Sequence, residues 1–304
     1  MLPLVSKVYR EMICWLSTVS PLLTTKILYY QAFKRKLDLK NPKTLNEKLQ
    51  YLKLHDYYEN PLVTQCADKY LVRDYVTECG CGEILNELYD VWNSADTIVW
   101  NELPEKFVLK CNHGCGYNIV CDNKSQFSEV AVKKQLNNWM KEDFWKLSAE
   151  TNYRDIPRRI ICEKYLQPSF GKLPEDYKVY CFNGKAEYVM VCIGREFGHP
   201  KFYYFDRYWN LQRHLTKDGI EAPDNFNPEK PDGIENVFSY AEKLSKPFPF
   251  VRADFYLFDG QVYFGELTFT PGACLDNKRL PKTDLMFGEM LYLENMDEKE
   301  NEVN

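Results

Sequence analysis

The chain of 304 residues contains no apolar run long enough to cross a bilayer, which takes about 18 to 20 consecutive residues. Its most apolar stretch, residues 1–36, is interrupted by Lys7, Arg10, Glu11 and Lys26. No secretory signal pattern is evident there. The 11 cysteines are odd in number and include no paired Cys-x-x-Cys elements. That spacing argues against structural zinc and, in a chain of this length, against a disulfide framework. Reduced thiols in a cytoplasmic protein are the expectation. Excess positive charge is also lacking: the net charge is −5, whereas nucleic-acid backbones call for a basic field. Neither phosphate-binding fingerprint, G-x-x-x-x-G-K-[ST] or G-x-G-x-x-G, is present. Nor is there a D-x-D, an internal repeat or a low-complexity tract.

With 45% hydrophobic and 27% charged residues, the chain should fold around more than one core. Residues 1–36 read as an amphipathic helix, Pro21, then a second helix ending in Lys34-Arg35-Lys36. Packing on the main body is the favoured reading. The alternative is peripheral association with an anionic membrane, served by the basic end and an exposed Trp15. Residues 41–58 predict a helix with Thr44 and Glu47 as a capping box. Residues 66–80 predict a second helix, closed by Gly80. Residues 90–104 read as a linker. Residues 125–147 predict a helix burying Val130, Leu136, Trp139, Met140 and Trp145. Residues 158–166 predict a strand, 176–194 a hairpin turning at Asn183-Gly184, 201–211 a strand and turn, 231–248 a helix, and 251–269 a second hairpin. This is an α+β pattern without the βα alternation of a parallel doubly wound sheet.

Three features could carry chemistry. The first is "FVLKCNHGCGYNIV", residues 107–120, where a β run ends on Lys110 ahead of Gly114 and Gly116. Glycine lets backbone N–H groups approach phosphate oxygens, and a lysine adds a point charge. A plain hairpin turn explains the glycines equally well. The second is the hairpin at 251–269, where Arg252, Asp254 and Glu266 interrupt apolar strands. Ionised groups there must be paired or metal-bound. A two-residue turn at Asp259-Gly260 would put Asp254 and Glu266 on opposite faces. A three-residue turn with Gly260 in a bulge would bring Arg252, Asp254, Glu266 and Thr268 to one face, so a Mg²⁺ site requires that turn. The third is Glu163 in "EKYL", followed by "DYK" at 176–178.

These features, in this order, resemble the ATP-grasp superfamily. More narrowly, "NEKLQYLK", "DKYLVR", "FVLKCNHGCG", "EKYL", "DYKVYCFNG" and "YFGELTFTPG" resemble the TupA-like ATP-grasp family of surface-polysaccharide gene clusters. The resemblance implies an ATP-grasp fold: two α+β lobes whose antiparallel sheets sandwich ATP, behind an N-terminal helical region. It further implies ATP and Mg²⁺ as cofactors. Lys69 and Lys110 would reach the phosphates, with Gly114 and Gly116 in a lid. Glu163 and the backbone at Leu166 would meet the adenine edge, and Asp176 the ribose. Lys178 would face phosphate or acceptor, and Arg252 the transferring phosphoryl group. Asp254, Glu266 and Thr268 would be the metal ligands. Thr268 departs from the superfamily's usual E-x-N, and Cys115 stands where relatives often carry serine.

The implied division is 1–60 N-terminal helical, 61–105 pre-grasp helices and linker, 106–165 nucleotide-binding lobe, 166–292 metal and acceptor lobe, and 293–304 a disordered acidic tail. The implied activity is an ATP-dependent carboxylate–amine ligase acting on a glycan precursor with an amine donor. A sugar kinase and a non-catalytic nucleotide-binding module are the alternatives. Arg195 is the candidate for an anionic acceptor group, and Tyr203, Tyr204, Tyr208 and Trp209 could stack on sugar rings or pack in a core. The location would be the cytoplasm, at the inner face of the cell membrane if the N-terminal helices attach there.

Overall fold

A computed structural model describes residues 2–166, 176–194, 198–258 and 260–293. Arg195, and all but the first residue of the 293–304 tail, lie outside the described residues. The chain opens with α1 (Leu2–Val19) and α2 (Pro21–Phe33), separated at Ser20, whose side chain caps α2 by accepting from Leu23 N–H. The expected capping box starts α3 (Leu45–Leu54): Thr44 accepts from Glu47 N–H, and the Glu47 carboxylate accepts from Thr44 N–H. Gly288 of α9 (Pro281–Met290) lies so close to the start of α3 that a Cβ there would meet Lys43 O at 2.0 Å.

The helix expected over 66–80 is two shorter helices, α4 (Pro61–Ala67) and α5 (Val72–Glu78). Asp68 is the reason for the break. Its Oδ1 accepts from Tyr70 N–H and Leu71 N–H at 2.7 and 3.3 Å and from Asn112 Nδ2 at 2.8 Å. The acid thus caps a new turn instead of continuing the old helix. The stretch read as a linker contributes β1 (Leu88–Trp92), an edge strand.

Two antiparallel sheets follow. The first, in order β1-β4-β2-β3, adds β2 (Phe107–Cys111), β3 (Asn118–Cys121) and β4 (Ile160–Lys164). Phe107, Leu109 and Cys111 alternate inward with Val108 and Lys110, and the inward set packs with Val132 and Leu136 of α6 (Glu129–Trp139). The α6 helix is shorter than expected. Leu136, Trp139, Met140 and Trp145 pack as foreseen or nearly so, but Val130 is 77% exposed because the inward stripe runs through Val132.

The second sheet, β7-β6-β5-β8-β9, comprises β5 (Asp176–Phe182), β6 (Lys185–Ile193), β7 (Lys201–Phe205), β8 (Phe250–Phe258) and β9 (Gln261–Thr268). Positive φ at Asn183 and Gly184 makes the two-residue β5–β6 turn. Tyr177, Val179 and Cys181 of β5 and Val251, Ala253 and Phe255 of β8 are buried in the core shared with α8 (Ile234–Ser245). The alternate positions on both strands carry the charges. The short α7 (Lys217–Glu221) lies beside β7.

Candidate active site

The expected bulged turn at the tip of the β8–β9 hairpin does not occur. Phe258 pairs with Gln261, leaving only two residues between the strands. From there to Phe255↔Phe264 the register would separate Asp254 and Glu266. A bulge deeper in the hairpin reverses this. Gly265 is the extra residue, and beyond it Asp254 pairs with Glu266, Ala253 with Leu267 and Arg252 with Thr268. A Cβ at position 265 would meet Asp254 O at 2.8 Å, so the bulge requires glycine. Both carboxylates therefore reach one face by a different device from the one anticipated.

On that face the charges form a continuous network. Arg252 binds Asp254 bidentately, Nε to Oδ1 at 2.7 Å and Nη2 to Oδ2 at 2.6 Å. Lys178, paired in register with Asp254, donates to its Oδ2 at 3.0 Å and to Asp176. The Thr268 hydroxyl accepts from Arg252 Nη2 at 3.2 Å and donates to Glu266 Oε1 at 3.1 Å. Burial pushes the Asp254 carboxyl up against the pull of Arg252 and Lys178. Burial would likewise raise Glu266, but Lys69, Arg252 and Lys178 outweigh it and hold that carboxyl at about 2.

The first sheet supplies Lys110 and Glu163. Lys110 Nζ donates to Glu163 Oε2 at 2.6 Å, and Arg73 Nη1 meets the other oxygen at 3.4 Å. Burial works against the lysine's charge, yet Glu163, Tyr256 and Glu266 raise its pKa overall. The glycine loop spans the turn between β2 and β3. Gly116 has φ +78°, a backbone state suited to glycine, while a Cβ on Gly114 would meet Phe144 and Tyr117 at 2.8 Å. His113 is buried with its Nε2 3.1 Å from Trp139 O, a structural residue of the loop.

Lys69 joins the two halves. It follows the Asp68 break, donates from Nζ to Gly114 O at 2.5 Å, and lies 3.7 Å from Glu266 Oε2. A pocket of about 150 Å³ opens between the sheets, lined by Val108, Lys110, Glu163 and Leu166 on one side and Tyr256 on the other. It is smaller than the roughly 300–1,000 Å³ of whole-ligand sites, so it suits one part of a larger molecule.

Sequence reading missed two of these residues. Tyr256 shares strand parity with Arg252 and Asp254, so the period of two could have added it to their face. Arg73, held by Asn86 O at 2.8 Å, ends the family-like string "DKYLVR", the signal that could have drawn it in. Of the aromatics proposed to stack on sugars, Tyr203, Tyr204 and Trp209 are buried and only Tyr208 is exposed. Trp209 stacks on Phe205 at 4.1 Å, so the packed-core reading holds for these three.

Among known proteins, a family model described as TupA-like ATPgrasp matches residues 47–292. The chain belongs to the TupA-like ATP-grasp family. The two antiparallel sheets and the helices before them are the ATP-grasp fold of that family. No curated protein matches the chain. Among solved structures it is similar to D-alanine–D-alanine ligase from Bacillus anthracis complexed with ATP, at 15% identity and a TM-score of 0.47 over 76% of this chain and 66% of that one. It is similar to an L-amino acid ligase from Bacillus licheniformis at 10% identity and a TM-score of 0.46, over 83% of this chain and 56% of that one. It is also similar to the ATP-grasp ligase PsnB with a precursor variant, Mg and ADP, at 12% identity and a TM-score of 0.37, over 73% and 58% of the two chains. This TupA-like chain thus spans less than two thirds of the length of these ligases.

Proposed function

We propose that this TupA-like protein is an ATP- and Mg²⁺-dependent carboxylate–amine ligase acting on a surface-polysaccharide precursor, with a uronic acid as the acceptor class. One observation carries the reading. Four cations, Lys69, Lys110, Lys178 and Arg252, and two facing carboxylates, Asp254 and Glu266, converge on a gap between two antiparallel sheets. In this reading residues 106–165 form the nucleotide lobe, joined by β1, and 166–292 the metal and acceptor lobe.

The adenine occupies the pocket beside Glu163, Leu166 and Tyr256, and Asp176 takes the ribose hydroxyls. The glycine-loop amides, Lys69 and Lys110 hold the phosphates. Asp254 and Glu266 offer hard oxygen donors on one face, with the Thr268 hydroxyl beside them. This donor set fits Mg²⁺, which takes one or two carboxylates and completes its shell with water and phosphate. Among the described residues no cluster of three or more His, Cys, Asp or Glu could hold a metal alone, so phosphate would have to complete the site. The ion would supply neutralisation of phosphate charge. An acceptor carboxylate oxygen attacks the γ-phosphorus as the bond to the bridging oxygen breaks and ADP leaves. The amine nitrogen then attacks the acyl carbon, phosphate departs with the C–O electrons, and the nitrogen loses a proton. Lys178 and Arg252 offset charge on the transferring group. Arg195 is retained as the candidate for the acceptor's anionic group.

The reading includes a cytoplasmic location. The test is ADP release from MgATP with uronic-acid glycans, with and without amino acids. Amine-dependent release is expected. Amine-independent release with a stable phosphosugar would make it a kinase, and ATP binding without turnover would make it a binding module. Lys110→Ala should lower turnover by about a hundredfold or more. The fold should survive, because Arg73 still faces Glu163.

A further inference from the structure

The first 46 residues lie outside the family match, and their two helices expose apolar side chains. Val8, Met12, Trp15 and Val19 recur at helical spacing along one side of α1 and are 49–65% exposed. Ile13 and Ser17, on the opposite side, are buried, and Ser17 Oγ donates to Lys146 O at 2.8 Å. On α2, Thr24, Thr25 and Tyr29 are buried, while Leu23, Lys26, Tyr30 and Lys34 form an exposed line. Tyr9 hydrogen-bonds Gln31 at 2.5 Å, so the two helices lie side by side with the end of α2 near the start of α1.

The charge on this hairpin is one-sided. Residues 1–37 hold Lys7, Arg10, Lys26, Lys34, Arg35 and Lys36 against the single acid Glu11, in a chain of net charge −5. Arg10 and Arg35 pair with Glu142 and Glu47. Among the described residues no carboxylate pairs with Lys7, Lys26, Lys34 or Lys36. Beside the end of α2 is a cleft of about 760 Å³ that Lys36 and Lys43 line. Its three acids are committed within the protein: Asp38 Oδ1 accepts from Lys40 and Asn41 N–H, Glu47 closes the α3 cap, and Asp284 binds Asn46 and Arg279.

We propose that α1 and α2 form a docking surface for an anionic phospholipid bilayer. The α1 stripe inserts at the level of the headgroups, with Trp15 and Tyr30 at the interface, and the unpaired lysines meet lipid phosphates. An apolar stripe, unpaired lysines and exposed aromatics on one helical hairpin are what such a surface selects. An overall negative protein can dock there only through a local basic patch. The inference does not depend on the ligase reading.

The test is co-sedimentation of the full chain with vesicles of phosphatidylcholine alone and of phosphatidylcholine mixed with phosphatidylglycerol, with light scattering to give the oligomeric state. Binding is expected to the anionic vesicles only, and should fall away near 0.5 M salt, where the screening length is about 4 Å. The triple variant Lys26→Glu/Lys34→Glu/Lys36→Glu should bind roughly a hundredfold more weakly or worse, at about fivefold per lysine contact. Trp15→Asp should also lose binding. All four side chains are exposed, so circular dichroism and thermal melting should match the parent. Absence of binding to anionic vesicles, or equal binding by the variants, would overturn the proposal. A dimer that Trp15→Asp dissolves would also overturn it and assign the stripe to a second copy.

Discussion

The Glu266 carboxyl is 34% exposed at its side chain yet sits among three cations, Lys69, Arg252 and Lys178. Burial opposes its ionisation and the cations favour it. The cations win, holding its pKa at about 2 against an ordinary 4.5. A carboxyl depressed by folding contributes stability above its unfolded value, and that contribution is lost as pH falls from about 4.5 through about 2. Lys69→Met removes the largest favourable partner. The Glu266 resonance in a carboxyl NMR titration should then move its midpoint up toward the ordinary value. An unchanged midpoint would mean that Arg252 and Lys178 suffice and that Lys69 does not reach the carboxylate in solution. The chemistry-bearing residue types were legible in sequence because ionised groups inside apolar strands stand out. Their partners were not, since Lys69–Glu266 and Lys110–Glu163 join residues 197 and 53 positions apart by numbering.

At the scale of elements, the β8–β9 hairpin depends on one glycine. Gly265→Ala would drive a methyl into Asp254 O. Relief by removing the bulge would slip the register by one and turn Glu266 away from Asp254. A loss of about 1–3 kcal/mol in thermal or denaturant unfolding is expected, as for overpacked interiors, together with loss of turnover. Full activity in this variant would show that the paired carboxylates are not needed together. Most of the strands were readable from alternation and turn residues, and Asn183-Gly184 behaved as its type requires. The bulge was not readable, because a glycine inside a strand fixes neither the presence nor the side of an insertion. The break at Asp68 was missed for a similar reason: helical periodicity continues across it, and contacts with the distant Asn112 and Arg159 make capping the better use of that acid.

On the scale of the whole molecule the described residues form two cores, one around the first sheet and α6, the other around the second sheet and its helices. A nucleotide lying between the sheets would bridge them. MgATP at about a hundredfold over its dissociation constant should stabilise the folded chain by about 2.7 kcal/mol, a rise of several degrees in calorimetric melting. Lys110→Ala should lose most of that rise. No shift at saturating MgATP would remove the nucleotide from the gap. No helix of the described residues is long and apolar enough to cross a membrane, so attachment through α1 and α2 would be to a surface.

The sequence by itself determined the α+β class and the types of residue that gather at the gap, because periodicity, turn chemistry and charges set in apolar strands are local properties of the chain, and its motif strings carried the resemblance to the family that the match over residues 47–292 shows. Tertiary structure alone decided which carboxylate faces which cation and on which side of each sheet. Those depend on one inserted residue at Gly265 and one helix break at Asp68, where packing against distant segments overrides local preference.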